Sequence, residues 1–132
     1  DSEFSKLRQN IIDSLRNSSD TQQLIPLLNL VCALTHLALE SRNYIGGKEL
    51  VNLSLVKSVI LPLKKILNSH HFEKIVALQT IHNLIIVIKD SEMALTELIR
   101  KISARLACKT NEPIPIQTKK LDLMSFLYEL SG

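Results

Sequence analysis

Histidine and carboxylate side chains that could do chemistry are few in this chain, and their spacing builds no catalytic set. His70, His71 and Glu73 come closest to a metal-binding group. Adjacent residues on a helix point about 100° apart, and no fourth ligand lies at a suitable spacing, so we expect a surface or capping role for them. His36 and His82 occupy nearly corresponding repeat positions and could titrate near neutral pH. Such histidines are more often polar residues at the edge of a groove.

The common signatures of catalysis and nucleotide binding are absent. The sequence holds no Walker loop, GxGxxG, HExxH, GxSxG or zinc-finger spacing. Gly46 and Gly47 lack the following Lys and Ser/Thr of a phosphate-binding loop, and such a pair is typical of a turn. Cys32 and Cys108 have no CxxC partner, which indicates small buried hydrophobes in a reducing compartment. We therefore expect a protein that is not an enzyme and that uses no cofactor and no metal.

Basic side chains are concentrated towards the C-terminal end. Between Leu98 and Lys120, six basic residues stand against the single acid Glu112, whereas the whole chain carries a net charge of +3. The six are Arg100, Lys101, Arg105, Lys109, Lys119 and Lys120. This segment could bind nucleic acid or an acidic surface. It could equally be the solvated face of a helix, and the absence of aromatic residues for base stacking favours that interpretation.

Composition indicates one folded domain with an aliphatic core. The 132 residues are 45% hydrophobic and 22% charged, with 4% aromatic residues and no Trp. The opening residues Asp1, Ser2 and Glu3 do not resemble a secretory leader, and the apolar stretch 84–88 is too short to span a membrane. We expect an intracellular protein of the cytoplasm or nucleus that does not bind membranes. Because no Met begins it, we expect the chain to belong to a larger protein.

One apolar pattern recurs three times. Its copies read LxxVxxLxxL, IxxLxxIxxL and LxxMxxLxxL, spaced 47 and then 46 residues apart. The apolar positions are Leu28, Val31, Leu34 and Leu37, then Ile75, Leu78, Ile81 and Leu84, then Leu121, Met124, Leu127 and Leu130. Self-similarity at a period of about 20 to 50 residues is typical of stacked helical arrays, because each unit buries its apolar face against a neighbour. The sequence predicts a single α-solenoid domain over 1–132 with about three repeat units.

Helical periodicity predicts six helices along the chain. They are expected over 5–16, 21–41, 54–67, 72–89, 93–108 and 118–130. Asp20 and Ser54 are predicted N-caps, and Pro62 is expected to kink its helix or to split off a short turn. The segment 42–48 is predicted to be a loop between units, and 111–115 an extended linker.

The order of parts from Leu28 to Leu84 resembles an armadillo or HEAT-type repeat. A long helix, a loop with glycine, a second helix and the next long helix follow one another, and the stretch 33–38 is most similar to the third helix of the armadillo unit. Units of such families are about 40 to 47 residues long. The resemblance implies an all-α fold in which helices pair into a right-handed α-α superhelix.

The same resemblance implies a concave surface built from the repeated helices. In karyopherin-like armadillo proteins, a ladder of Trp and Asn on these helices clamps extended peptides. The Asn position corresponds here to His36, Asn83 and Glu129, so only Asn83 keeps the family residue, and the Trp position never carries Trp. The resemblance therefore does not extend to an import-receptor groove, and the surface is expected to serve a different ligand.

Polar side chains beside the repeated apolar positions are the predicted partner-binding residues. They are Thr35, His36, Gln79, Asn83 and Tyr128. Each could hydrogen-bond a peptide, so the sequence predicts a protein-protein interaction or scaffold module that binds a helical or extended peptide of another protein. Nucleic-acid or acidic-surface binding through 100–120 is the alternative, and a purely structural slice of a scaffold is a third. The sequence leaves the oligomeric state open.

The last repeat helix lacks the polar cap with which helical arrays usually end. Phe126 and Tyr128 lie in it, where a polar outer face would be needed. We therefore expect this helix to dock onto further repeats or onto a second chain, with its apolar seam as the binding surface. The alternative is that the helix closes back on its own core.

Overall fold

The computed structural model describes residues 2–40, 51–69 and 71–131, and every regular element in those ranges is helical. The α-helices are α1 (Ser2–Asn17), α2 (Thr21–Glu40), α3 (Leu53–Leu67), α4 (His71–Ile88), α5 (Glu92–Ile102) and α6 (Ile114–Ser131). A short 3₁₀ turn, Ser103–Leu106, follows α5. The all-α prediction is confirmed. The predicted loop with Gly46 and Gly47 lies outside the described residues, and so do His70 and the side chain of His71.

Side-chain caps set the start of two helices. The carboxylate of Asp20 accepts a hydrogen bond from the Gln22 N–H at 3.2 Å, as predicted for the N-cap of α2. For α3 the predicted cap was wrong. Asn52 caps this helix by accepting the Leu55 N–H at 2.9 Å, whereas Ser54 already lies in its first turn.

The observed helices differ from the predicted ones at Pro62, at the end of α5 and at the start of α6. α3 continues through Pro62, so this proline does not split off a turn. α5 ends at Ile102 rather than near Cys108, and α6 begins at Ile114, inside the segment predicted to be extended. Pro115 lies in the first turn of α6, where the missing N–H costs no helical hydrogen bond. The carbonyl of Pro113 accepts the first two intrahelical bonds.

The helices pack in two series that alternate along the chain. One series runs from α1 to α3 to α5, the other from α2 to α4 to α6, and consecutive helices from α1 to α5 also contact each other. The most extensive packing joins α2 to α4. The core between the helices is aliphatic, as the composition predicted, and includes Ile12, Leu28, Leu63, Ile81 and Leu98.

α2 is the described helix that is long and apolar enough to cross a membrane, by length and composition alone. Its best window has a mean hydropathy of 1.4, and 33% of that window is buried in the fold. Leu24, Leu28 and Val31 are buried on the side that packs against the neighbouring helices. A helix of a protein core passes the same criterion.

Candidate functional site

A groove of about 580 Å³ lies between α2 and α4. Asn29, Cys32, Ala33 and His36 of α2 and Ile75, Val76, Gln79 and Asn83 of α4 line it. Its walls combine apolar side chains with amides, so its surface suits a peptide better than a charged small molecule.

A continuous chain of hydrogen bonds crosses the groove floor. The Lys119 ammonium of α6 donates to Gln79 Oε1 at 2.6 Å, and Gln79 Nε2 donates to Asn83 Oδ1 at 2.9 Å. Asn83 Nδ2 then donates to Thr35 Oγ1 at 3.3 Å, and Thr35 donates to the Cys32 carbonyl at 2.7 Å. Most polar atoms in this series of hydrogen bonds are already paired with one another. The hydrogen bonds therefore hold α2, α4 and α6 in register.

The structure brings three of the five predicted partner-binding residues to this groove. His36, Gln79 and Asn83 line it, whereas Thr35 is buried beneath Asn83. His36 Nε2 lies 3.1 Å from the carboxylate of Glu40, and both side chains are largely exposed. Tyr128 lies apart from the groove, on α6, and is 80% exposed.

The outer face of α6 is a second apolar surface, which we call the α6 stripe. It consists of Ile114, Leu121, Met124 and Tyr128, all exposed, with Leu121 58% exposed. Their spacing of seven, three and four residues places them on one side of the helix. Asp122 and Glu129, both exposed, lie next to the stripe in the helical register.

The repeat spacing relates positions on α6 to positions on α2 and α4. Cys32 and Thr35 of α2 contact Asn83 on α4. The residues 47 positions later, Gln79 and His82, face the next helix in the same series.

Those two residues meet α6 directly. Gln79 accepts from Lys119, and the His82 ring lies 4.8 Å from that of Phe126. The equivalents another 46 positions along are Ser125 and Tyr128, at the edge of the α6 stripe. Tyr128 of the α6 stripe thus occupies the position with which α4 holds the following helix.

A buried ionic cluster, which we call the lysine clamp, fixes α6 and the preceding segment against α4. Glu112 Oε2 accepts from Lys74 at 2.8 Å, and Glu112 Oε1 accepts from Lys120 at 2.6 Å and from the Lys109 N–H at 3.3 Å. The Lys120 ammonium also donates to the Ala107 carbonyl at 3.0 Å. Only 1% of the Glu112 side chain is exposed. Burial opposes its ionisation, but hydrogen bonds from Lys120 and Lys74 lower the pKa of Glu112 to about 2.

The segment 100–120 does not form one exposed basic surface. Lys120 belongs to the lysine clamp and is buried, which corrects its assignment to a basic patch. Lys119 is bound to Gln79, and Arg100 lies 3.0 Å from the Glu97 carboxylate. The remaining basic residues of the six are half-buried or exposed: Lys101, Arg105 and Lys109.

Sequence reasoning missed the lysine clamp although the signal was present. Lys120 lies four residues after the buried Ile116 and three before the buried Leu123, which is the spacing of core positions. Lys74 likewise lies three residues before the buried Ala77 and four before the buried Leu78. A lysine at a core position predicts a carboxylate partner, and Glu112 was the only acid in its segment.

His82 is a further titratable group at the contact between α4 and α6. Burial lowers the pKa of His82, Lys119 acts in the same direction, and Asp122 opposes it. The folded protein therefore favours the neutral imidazole, and protonation of His82 as the pH falls below its ordinary pKa weakens the contact between α4 and α6.

Within residues 2–40, 51–69 and 71–131, no three His, Cys, Asp or Glu side chains are grouped to hold a metal ion.

Comparison with known proteins gives no assignment, because no family model, no curated protein and no solved structure matches this chain.

Proposed function

We propose that this chain is a non-catalytic protein-interaction module, a fragment of an armadillo- or HEAT-like α-α superhelix, and that its α6 stripe receives an amphipathic helix of a partner protein. One observation carries the proposal. The third copy of the apolar pattern is exposed at Leu121 and Met124, which lie in the α6 stripe, whereas most positions of the first two copies are buried. A contiguous exposed apolar face on a folded protein is typical of an interaction site.

The packing of the helices supports the superhelical part of the proposal. In a helical array each helix contacts the equivalent helix of the next unit, as α1, α3 and α5 do in one series and α2, α4 and α6 in the other. The 47- and 46-residue spacing of the apolar pattern matches this alternation. In such an array, the next helix packs on the exposed face of the helix before it.

The α6 stripe suits an α-helix because the equivalent face of α4 already holds one. Leu121, Met124 and Tyr128 correspond to Ile75, Leu78 and His82. A helix laid on the stripe would bury three or four large side chains. Each contributes about 1.5–3 kcal/mol when it leaves water completely, before the cost of association is subtracted.

Charge beside the stripe defines the partner further. Asp122 and Glu129 lie seven residues apart and therefore on one side of α6, about 100° around the helix from Leu121 and Tyr128. A partner helix with Lys or Arg along one edge of its apolar stripe would match them. Such pairing selects the orientation of the partner more than it adds affinity.

The groove between α2 and α4 is a second candidate surface, for an extended peptide. It is favoured by its volume of about 580 Å³ and by Gln79, whose amide nitrogen has a second hydrogen besides the one given to Asn83. The nucleic-acid alternative has less support, since Lys120 is buried and Arg100 and Lys119 have partners.

The experiment compares two pairs of exposed apolar residues. The probe is a fluorescently labelled synthetic helix with a leucine stripe and lysines on one edge, titrated by anisotropy. L121S/M124S should weaken binding of the probe about tenfold or more, because it removes two apolar side chains that the bound helix would cover. L30S/L37S changes two exposed leucines of α2 and should leave binding unchanged.

Two results would contradict the proposal. One is equal binding of the helix by both double variants, and the other is no saturable binding to the unaltered chain at millimolar concentration. Circular dichroism and thermal melting of each variant establish that the fold is retained.

A further inference from the structure

A cleft of about 370 Å³ lies where α1, α3 and the turn after α1 meet. Its lining residues are Leu15, Arg16, Ser18, Ser19, Leu24, Lys57, Ser58, Leu61, Pro62 and Lys65. Leu15, Leu24 and Pro62 are buried and form an apolar floor. Arg16, Lys57 and Lys65 supply three positive charges, and no carboxylate lines the cleft.

The three cations are available to a ligand in the part of the chain that the structure describes. None of them lies within ion-pair distance of a described carboxylate, and the Lys65 ammonium makes only a long bond, 3.4 Å, to the Ser19 carbonyl. Glu97 of α5 interacts electrostatically with Lys57, but its carboxylate is hydrogen-bonded to Arg100. Cationic groups around an apolar floor attract an anionic ligand that also carries an apolar group.

The spacing along α3 defines the shape of that ligand. Lys57, Leu61 and Lys65 follow one another at four-residue intervals and lie on one face of the helix, with Leu61 60% exposed between the two lysines. Eight helical residues span about 12 Å. In an extended peptide, residues i and i+4 lie about 13 Å apart on the same side, with residue i+2 between them.

We propose that this cleft binds a short extended acidic segment of a protein, of the form acidic-x-apolar-x-acidic. The apolar side chain enters between α1 and α3 over the floor, and the two carboxylates meet Lys57 and Lys65, with Arg16 on the opposite wall. Single-stranded nucleic acid fits less well, because no aromatic side chain lines the cleft to stack on a base. This site does not depend on the α6 stripe, since its residues come from α1, α2, α3 and the turn between α1 and α2.

The test uses a labelled peptide with the core Glu-Ser-Leu-Ser-Glu, titrated by anisotropy at low salt. We expect saturable binding that weakens as salt is added. Two control peptides, Gln-Ser-Leu-Ser-Gln and Glu-Ser-Ser-Ser-Glu, should each bind about fivefold to tenfold more weakly, since each removes one of the two kinds of contact.

Matched protein variants separate the cleft from general charge. K57Q/K65Q removes two charges from the cleft and should weaken peptide binding about fivefold to tenfold. K6Q/K64Q removes one charge from α1 and one from α3, both outside the cleft, and should leave binding nearly unchanged. K57Q alone, with the bond between Lys65 and Ser19 intact, should show an intermediate loss if thermal melting reveals that the double variant unfolds.

Three outcomes would overturn the proposal. They are no saturable binding at millimolar peptide, equal losses in the cleft variant and the control variant, and tighter binding of a single-stranded oligodeoxynucleotide that K57Q/K65Q abolishes. None of these outcomes bears on the α6 stripe, which L121S/M124S tests separately.

Discussion

The contact between α2 and α4 and the contact between α4 and α6 occupy equivalent places in the helix series but use different chemistry. Neutral groups join α2 to α4: Thr35, Asn83 and the sulfur of Cys32. Charged groups join α6 and its preceding segment to α4, through Lys74, Glu112 and Lys120. A repeated pattern of apolar residues therefore fixes where helices meet without fixing the polar groups that hold them there.

The difference follows from what each contact must tie down. α2 and α4 pack along an extensive face, so a few neutral hydrogen bonds complete the contact. α6 follows the non-helical residues 107–113, which are exposed apart from the buried Glu112, so few packed side chains hold this segment in place. Lys120 pairs the Ala107 carbonyl and Glu112 pairs the Lys109 N–H, so the lysine clamp serves the segment as much as the helix.

Removing the carboxylate of the lysine clamp should have the largest effect on stability. E112Q keeps the shape of the side chain but leaves two buried ammonium groups without a counter-charge. Loss of one partner from a buried ion pair costs about 3–5 kcal/mol, and urea denaturation would measure it. E97Q, which removes a half-buried carboxylate paired with the largely exposed Arg100, is the control and should shift the denaturation midpoint little. A cost below about 1 kcal/mol for E112Q would show that the clamp contributes little.

Acid should weaken the charged contact and spare the neutral one. Because the fold lowers the pKa of Glu112 from 4.5 to about 2, its contribution is complete above the unfolded pKa and is lost as the pH falls through the folded pKa. We expect stability to decrease by on the order of 2 kcal/mol between about pH 5 and pH 2 from this group. The triple variant K74M/E112L/K120M should lack this decrease and be as stable as the parent at pH 7, or more so. An unchanged acid slope in the triple variant would assign the decrease to other carboxylates.

The neutral contact should respond more weakly to the loss of a partner. N83A leaves the buried Thr35 hydroxyl and the Gln79 amide each short of a hydrogen bond, at a cost of about 1–3 kcal/mol with no acid dependence. T35V/N83L replaces both partners by apolar groups and should recover most of that loss. Urea denaturation of the two variants at pH 7 and pH 4 measures both effects. A cost for N83A equal to that of E112Q would remove the distinction between the two contacts.

Periodicity predicted the helices well because apolar spacing directly reports which face is buried. It failed between Ile102 and Pro115, where α5 ends in a 3₁₀ turn and α6 begins at Ile114, because the apolar spacing marks neither boundary. Lys120 was also predicted to lie at the surface, because its charge was given more weight than its spacing from the apolar residues of α6. The third apolar copy looked equivalent to the first two, and only the structure shows that Leu121 and Met124 are exposed.

The buried position of Glu112 affects how readily a protease can cut the neighbouring backbone. The peptide bond after Lys109, an exposed lysine in a non-helical segment, is a natural site for trypsin. Cleavage requires the local backbone to open, and here opening means withdrawing Glu112 from two buried ammonium groups. The rate of cleavage at this one bond therefore reports how often the segment 107–113 opens and releases Glu112 from the lysine clamp, without any label.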